Sequence, residues 1–192
     1  MKRLDLMGIA GPIPKMVFLL LFFLLIGSVS GFAQLQTRIV AGQISIGNTI
    51  KPDENSYLGF QDSLNKKLKV NPLDTTSLFE RALLLEQFNN QLAKATSYTK
   101  DPIENLTAAK DMTEHAVALH MKDLKLKILR AQIYKDLVYR YSVSESWKFT
   151  SKQVAERNAK YDNYKALANK YYDELALLDA SNAYDYQSLK IK

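Results

Sequence analysis

The chain has 192 residues, a formal net charge of +6 and no cysteine. Lacking thiols, it forms no disulfide, no thiolate metal site and no cysteine nucleophile, and it offers no thiol for lipidation of an exported precursor. The basic excess falls to about +4 once Lys2, Arg3, Lys15 and Asp5 are set aside, and it forms no block of the kind that nucleic-acid binding needs.

Met16–Ile26 is an uninterrupted apolar run of 11 residues, preceded by Lys2, Arg3 and Lys15 and followed by Gly31-Phe32-Ala33. A spanning helix needs roughly 20 apolar residues. The short run, its positive flank and the small residues at Gly31 and Ala33 predict an export signal over residues 1–33, cut after Ala33. An uncleaved anchor is the alternative. The rest of the chain is then periplasmic or secreted. Gln34–Pro52 carries Gly42, Gly47 and Pro52 and no helical period. It reads as an extended tether, although Ile39, Ile44 and Ile46 could make a short strand.

From Asp53 to Lys192 apolar residues recur three and four apart, which predicts an all-α domain of five to six helices. The first runs from Asp53 to Val70 with Tyr57, Phe60, Leu64 and Leu68 on one stripe; Asn71-Pro72 ends it, because the residue before proline avoids the α region. The second starts at Asp74, a capping carboxylate, and buries Leu78, Ala82, Leu85, Phe88 and Leu92 with Phe79 and Leu83 beside them. Asp101-Pro102-Ile103-Glu104 opens the third, with Leu106, Ala109, Met112, Ala116 and Leu119 inward. The fourth is expected over Asp123–Trp147, with Leu124, Ile128, Ala131, Val138 and Tyr141 inward. Thr150-Ser151-Lys152-Gln153 is a capping box opening the fifth, which carries Tyr161, Tyr164, Ala168, Tyr171, Leu175 and Leu178 on one face to Leu178. Ser181 or Asn182 caps a short last helix to Leu189. Short connections make neighbours antiparallel.

The helices carry an internal repeat. Asp74, Arg81 and Ala82 recur 49 residues later as Asp123, Arg130 and Ala131, and Asp179-Ala180-Ser181-Asn182 is a partial third copy. Self-similar helix pairs mark a stacked array. The stretch Val70-Asn71-Pro72-Leu73-Asp74, continuing to Phe79, Arg81, Ala82 and Leu85, resembles the junction between tetratricopeptide repeats. Ala82 and Ala131 match that family's small position in the first helix of a unit. Ala109 with Ala116, and Ala168 with Tyr172, match small and bulky positions of the second. The spacing of 49 differs from the family's shorter period, and an irregular helical bundle satisfies the same pattern. The resemblance implies an exported bacterial array of helical hairpins whose first helices line a concave face. On that face it places Thr76, Phe79, Leu83 and Glu86 in one unit and Lys125, Ile128, Gln132 and Lys135 in the next, as a groove for a protein or peptide partner.

Residue chemistry points away from catalysis. His115 and His120 are five apart, about 140° around a helix, so they cannot hold one ion together. Asp173 and Glu174 are adjacent and point to different sides, unlike a glycosidase pair. There is no phosphate loop and no nucleophile elbow. The expectation is a non-enzymatic interaction module for another cell-envelope protein or peptide, with no cofactor and no metal. Tyr134, Tyr139, Tyr141, Tyr161, Tyr164, Tyr171, Tyr172, Tyr184 and Tyr186 crowd the C-terminal half together with Trp147. They support an alternative, a carrier for a glycan or lipid, or else fill gaps between long helices. Asn105-Leu106-Thr107 fits the glycosylation pattern but falls within a predicted helix.

Overall fold

A computed structural model describes residues 35–47, 54–92, 100–142 and 146–192. The expected export signal lies outside these residues, as do Asp53 and the connection after Leu92. Leu92 and Asp101 have described backbones, but their side chains, and so the expected cap at Asp101, are also outside the description. No helix among the described residues is long and apolar enough to cross a membrane.

The fold is all-α with a small two-stranded sheet. Its elements are β1 (Thr37–Val40), β2 (Gln43–Ile46), α1 (Glu54–Val70), α2 (Thr75–Leu92), α3 (Lys100–Ala118), α4 (Leu124–Tyr141), α5 (Ser151–Leu178) and α6 (Ala183–Ser188). Each helix packs on the next in the chain, α2 also touches α4, and β2 lies against both α2 and α4. The core joins Leu78, Leu83, Leu106, Leu126, Leu129, Leu137, Tyr172 and Leu175 in one cluster, while Leu35, Leu64, Leu84 and Phe88 form a second beneath α1.

The repeat is realised as equivalent contacts. Asp74 accepts from the Thr76 and Ser77 N–H groups, and Asp123 accepts from the Lys125 N–H at 2.8 Å, so α2 and α4 begin in the same way. Arg81 then donates to Asn65 at 3.0 Å, and Arg130 donates to Glu114 at 2.7 and 2.6 Å, each reaching back 16 residues to the preceding helix. Ala82 and Ala131 are fully buried.

Four expectations need correction. Residues 37–46 do not form an extended tether. They make an antiparallel hairpin in which Ile39 faces Ile44 and Val40 faces Gln43. Its two-residue turn is Ala41-Gly42, both with positive φ (48° and 72°), which is the backbone that matches the twist of the flanking strands. The fourth helix stops at Tyr141 and does not continue to Trp147. Ser142 takes an extended conformation, its hydroxyl donates to the Tyr139 carbonyl, and a separate single turn follows at Ser146–Lys148. The last helix is capped neither by Ser181 nor by Asn182, because both side chains turn back to donate to Asp179. Leu178, expected on the buried face of α5, is exposed. The capping box at Thr150 and Gln153 forms as expected.

α2 departs from a single stripe in another way. Ser77 through Glu86 are buried without interruption. A helix enclosed on all sides loses its polar face, and here α1, α3, α4 and β2 supply the enclosure.

Candidate interaction face

The residues placed on the concave face by resemblance fall into three groups. Phe79, Leu83 and Ile128 are buried in the main core, in the same cluster as Ile44 of β2. Thr76 is exposed in the first turn of α2, Lys125 is half-buried at the equivalent position of α4, and Lys135 is half-buried further along. Glu86 and Gln132 meet: the Gln132 side-chain amide donates to Glu86 at 2.8 Å. They do not line an empty groove, because the hairpin sits there.

The seat of the hairpin is built from one amide. Gln132 Oε1 accepts from the Ile44 N–H at 3.1 Å, and Gln132 Nε2 donates to the Ile44 carbonyl at 3.2 Å. Ile44 occupies a position where the backbone groups point away from β1, so both face α4. Gln132 thus pairs with β2 as a neighbouring strand would. Gln87 also donates to the Ile44 carbonyl, and the Ile44 side chain is fully buried. At the start of the hairpin, Glu80 accepts from the Leu35 N–H at 3.2 Å. At its tip, Gly42 lies under α6. A β-carbon there would stand 3.0 Å from Tyr186 Cδ1 and 3.2 Å from Leu189 Cδ1, so only glycine satisfies both the positive φ and the close approach.

Two carboxyls stand beneath this seat. Glu86 is 2% exposed. It accepts from Gln132 and Gln87, and the Asp136 carboxyl lies near it. Burial, and then the adjacent Asp136 charge, push the Glu86 carboxyl up to about 8. The Tyr172 hydroxyl is buried and has no hydrogen-bond partner among the described residues; desolvation, then Asp136 and Glu86, push its ionisation well above the usual phenol range. Burial also raises Glu80, against the opposing effect of its bond to Leu35. Asp136, one turn beyond Gln132 on the same face of α4, was readable from that spacing. Ile44 and Tyr172 as neighbours of Glu86 were not, since they come from opposite ends of the chain.

The tyrosines pack on one another. Tyr134 meets Tyr164 and Tyr171 edge-on at 5.7 and 5.2 Å, and Tyr141 meets Tyr164 at 5.6 Å. Arg130 lies 3.9 Å over the Tyr171 ring, and the Tyr134 hydroxyl donates to Glu114 at 2.9 Å. Beside Tyr171 a cleft of about 50 Å³ opens between Val117, Met121, Lys127 and Leu178, far below the several hundred cubic ångströms of a drug-sized ligand site. Tyr139, Tyr184 and Trp147 are exposed. Both histidines are exposed, and His120 has φ 63° just past the end of α3, where its N–H donates to the Val117 carbonyl. Among the described residues no three His, Cys, Asp or Glu side chains converge as metal ligands. Asn105 lies within α3 and donates to Asn89. Set against known proteins, the chain matches no family model, and neither the curated proteins nor the solved structures give a match.

Proposed function

We propose that the chain is a non-enzymatic, exported interaction module that engages another cell-envelope protein or peptide through the face formed by α2 and α4. The observation that supports this reading is the seating of β2. The face holds an extended strand by pairing the Gln132 amide with the N–H and C=O of Ile44, a mode of recognition that reads backbone and takes one apolar side chain into the core. An extended segment of a partner that replaces β2 would find the same bonds. The tetratricopeptide resemblance points to the same two helices. Tyr134, Tyr141, Tyr164 and Tyr171, by contrast, pack on each other and on Arg130, which favours the interaction module over the carrier.

The test is photo-crosslinking in envelope preparations of cells that make the protein. A crosslinking residue in place of Thr76 or Lys125, at equivalent positions of α2 and α4, is expected to capture a discrete partner. The same residue in place of Lys152, on the exposed start of α5, is expected to capture none. Equal labelling from all three positions contradicts the reading.

A further inference from the structure

Arg81 and Arg130 hold equivalent positions in the repeat, and so do the residues they reach, because Asn65 and Glu114 also stand 49 residues apart. The acceptors differ. Glu114 meets Arg130 with both carboxylate oxygens, one on Nε at 2.7 Å and one on Nη2 at 2.6 Å. Asn65 offers Arg81 a single neutral oxygen, on Nε at 3.0 Å. That is the one hydrogen bond of the Arg81 side chain among the described residues, and its Nη1 is buried without a partner. Arg81 is also the deeper of the two, at 6% exposed, where Arg130 is half-buried. A guanidinium does not give up its charge, and a buried charge is costly unless it is paired. The first copy of the repeat therefore holds the cation without the anion that the second copy carries. We infer that Arg81 is a binding site for a carboxylate from an acidic segment of another protein, which displaces Asn65 and takes the Nε–Nη2 edge as Glu114 does on Arg130.

Access and charge both fit this ligand. Asn65 is exposed on α1, so the acceptor that gives way is a solvated surface amide and not part of the core. The acids closest to Arg81 along α2 are engaged elsewhere: Glu80 accepts from the Leu35 N–H, and Asp74 caps the first turn. On α1 the exposed Asp62 is followed by Lys66, Lys67 and Lys69, of which Lys66 and Lys69 are exposed. This excess of positive charge draws an acidic segment and repels a basic one. The planar fork of a guanidinium matches the two oxygens of a carboxylate, and Arg130 with Glu114 shows that match in the same scaffold. Arg81 lies about 140° around α2 from Glu86. The site is therefore separate from the seat of β2 and does not depend on whether the α2–α4 face takes a partner.

Side-chain NMR of the isotope-labelled full chain reads the site. The probe is a glutamate hexapeptide, titrated at constant ionic strength because exposed lysines attract any anion. A glutamine hexapeptide and inorganic phosphate are the controls. The Arg81 Nε–H resonance is expected to shift with saturation as the glutamate peptide is added. The Arg130 Nε–H resonance, already paired with Glu114, is expected to stay. Asn65→Glu changes an exposed residue and supplies the carboxylate from within the chain. It is expected to weaken peptide binding at least about tenfold and to raise the thermal midpoint. Asn65→Ala removes only the competing amide and is expected to bind the peptide as well as the natural chain or better. The inference is overturned by no saturable shift at Arg81, by an equal shift at Arg130 or with the glutamine peptide, or by unchanged affinity or a lowered midpoint in Asn65→Glu. A response to phosphate with none to the glutamate peptide overturns the choice of a carboxylate.

Discussion

Gln132 and Asn169 make the same pair of bonds, one to the N-terminal hairpin and one to the C-terminal tail. Gln132 clamps the backbone N–H and C=O of Ile44, at 3.1 and 3.2 Å, and so holds the N-terminal hairpin. Asn169 clamps the N–H and C=O of Ile191, at 2.8 and 2.9 Å, and so holds the C-terminal tail against α5. The bonds at the tail are the shorter ones, yet distance is not what sets the consequence of losing them. Ile44 is fully buried and Gln132 carries Glu86 as well, whereas Asn169 and Ile191 are half-buried. Water can replace the second clamp and cannot replace the first.

The largest effect is expected for Gln132→Leu. It leaves the Ile44 N–H without its partner in a dry site and removes one of the two amide donors to Glu86 and to the Ile44 carbonyl, a loss of about 3 kcal/mol at the usual cost of buried unsatisfied groups. A lower urea midpoint with an unchanged slope checks it. Gly42→Val comes next. It forces a β-branched residue into φ 72° and against Tyr186, for about 2 kcal/mol, read as a fall in the thermal midpoint. Asn169→Leu is expected to cost about 1 kcal/mol or less, because the freed groups at Ile191 are wetted. If Asn169→Leu proves as damaging as Gln132→Leu, burial is not the deciding variable. Smallest is Lys190→Met, which removes a half-exposed pair with Asp173 and shifts stability by about 0.5 kcal/mol or less. Hydrogen bonds from Lys190 and then Gln187 hold the Asp173 carboxyl below its usual range. The small stability it gives is therefore present above the ordinary carboxylate range and fades as pH falls. A carboxyl NMR titration of Asp173, with its midpoint returning toward the ordinary value in Lys190→Met, checks the direction.

What could be read in the sequence divides along the same line. Helices whose signals are local are legible: the capping box at Thr150 sets the start of α5, and the aspartates 49 residues apart set the starts of α2 and α4. Arg81 and Arg130 mark the repeat, and the structure gives them equivalent reaches to Asn65 and Glu114. The hairpin is different. Its turn is Ala-Gly, not the Asn-Gly or Asp-Gly that announces such a turn, and of its side chains that of Ile44 alone is fully buried. The bond that fixes it joins residues 88 apart. Glu86 and Gln132 stood together in the sequence reading because the repeat resemblance put both on one face. That face is where they meet, but the strand they hold comes from the chain itself. Asp136 lay one helical turn from Gln132 and could have been added by spacing, while Tyr172 as a neighbour of Glu86 required the packing of α5.

The central claim is that β2 is held on α4 through the Gln132 amide, and nuclear Overhauser contacts test it most directly. The account predicts contacts from the Gln132 side-chain amide protons to the Ile44 amide and methyl protons, with hairpin shifts over residues 37–46. Random-coil shifts over those residues, with no contact between Gln132 and Ile44, would contradict it.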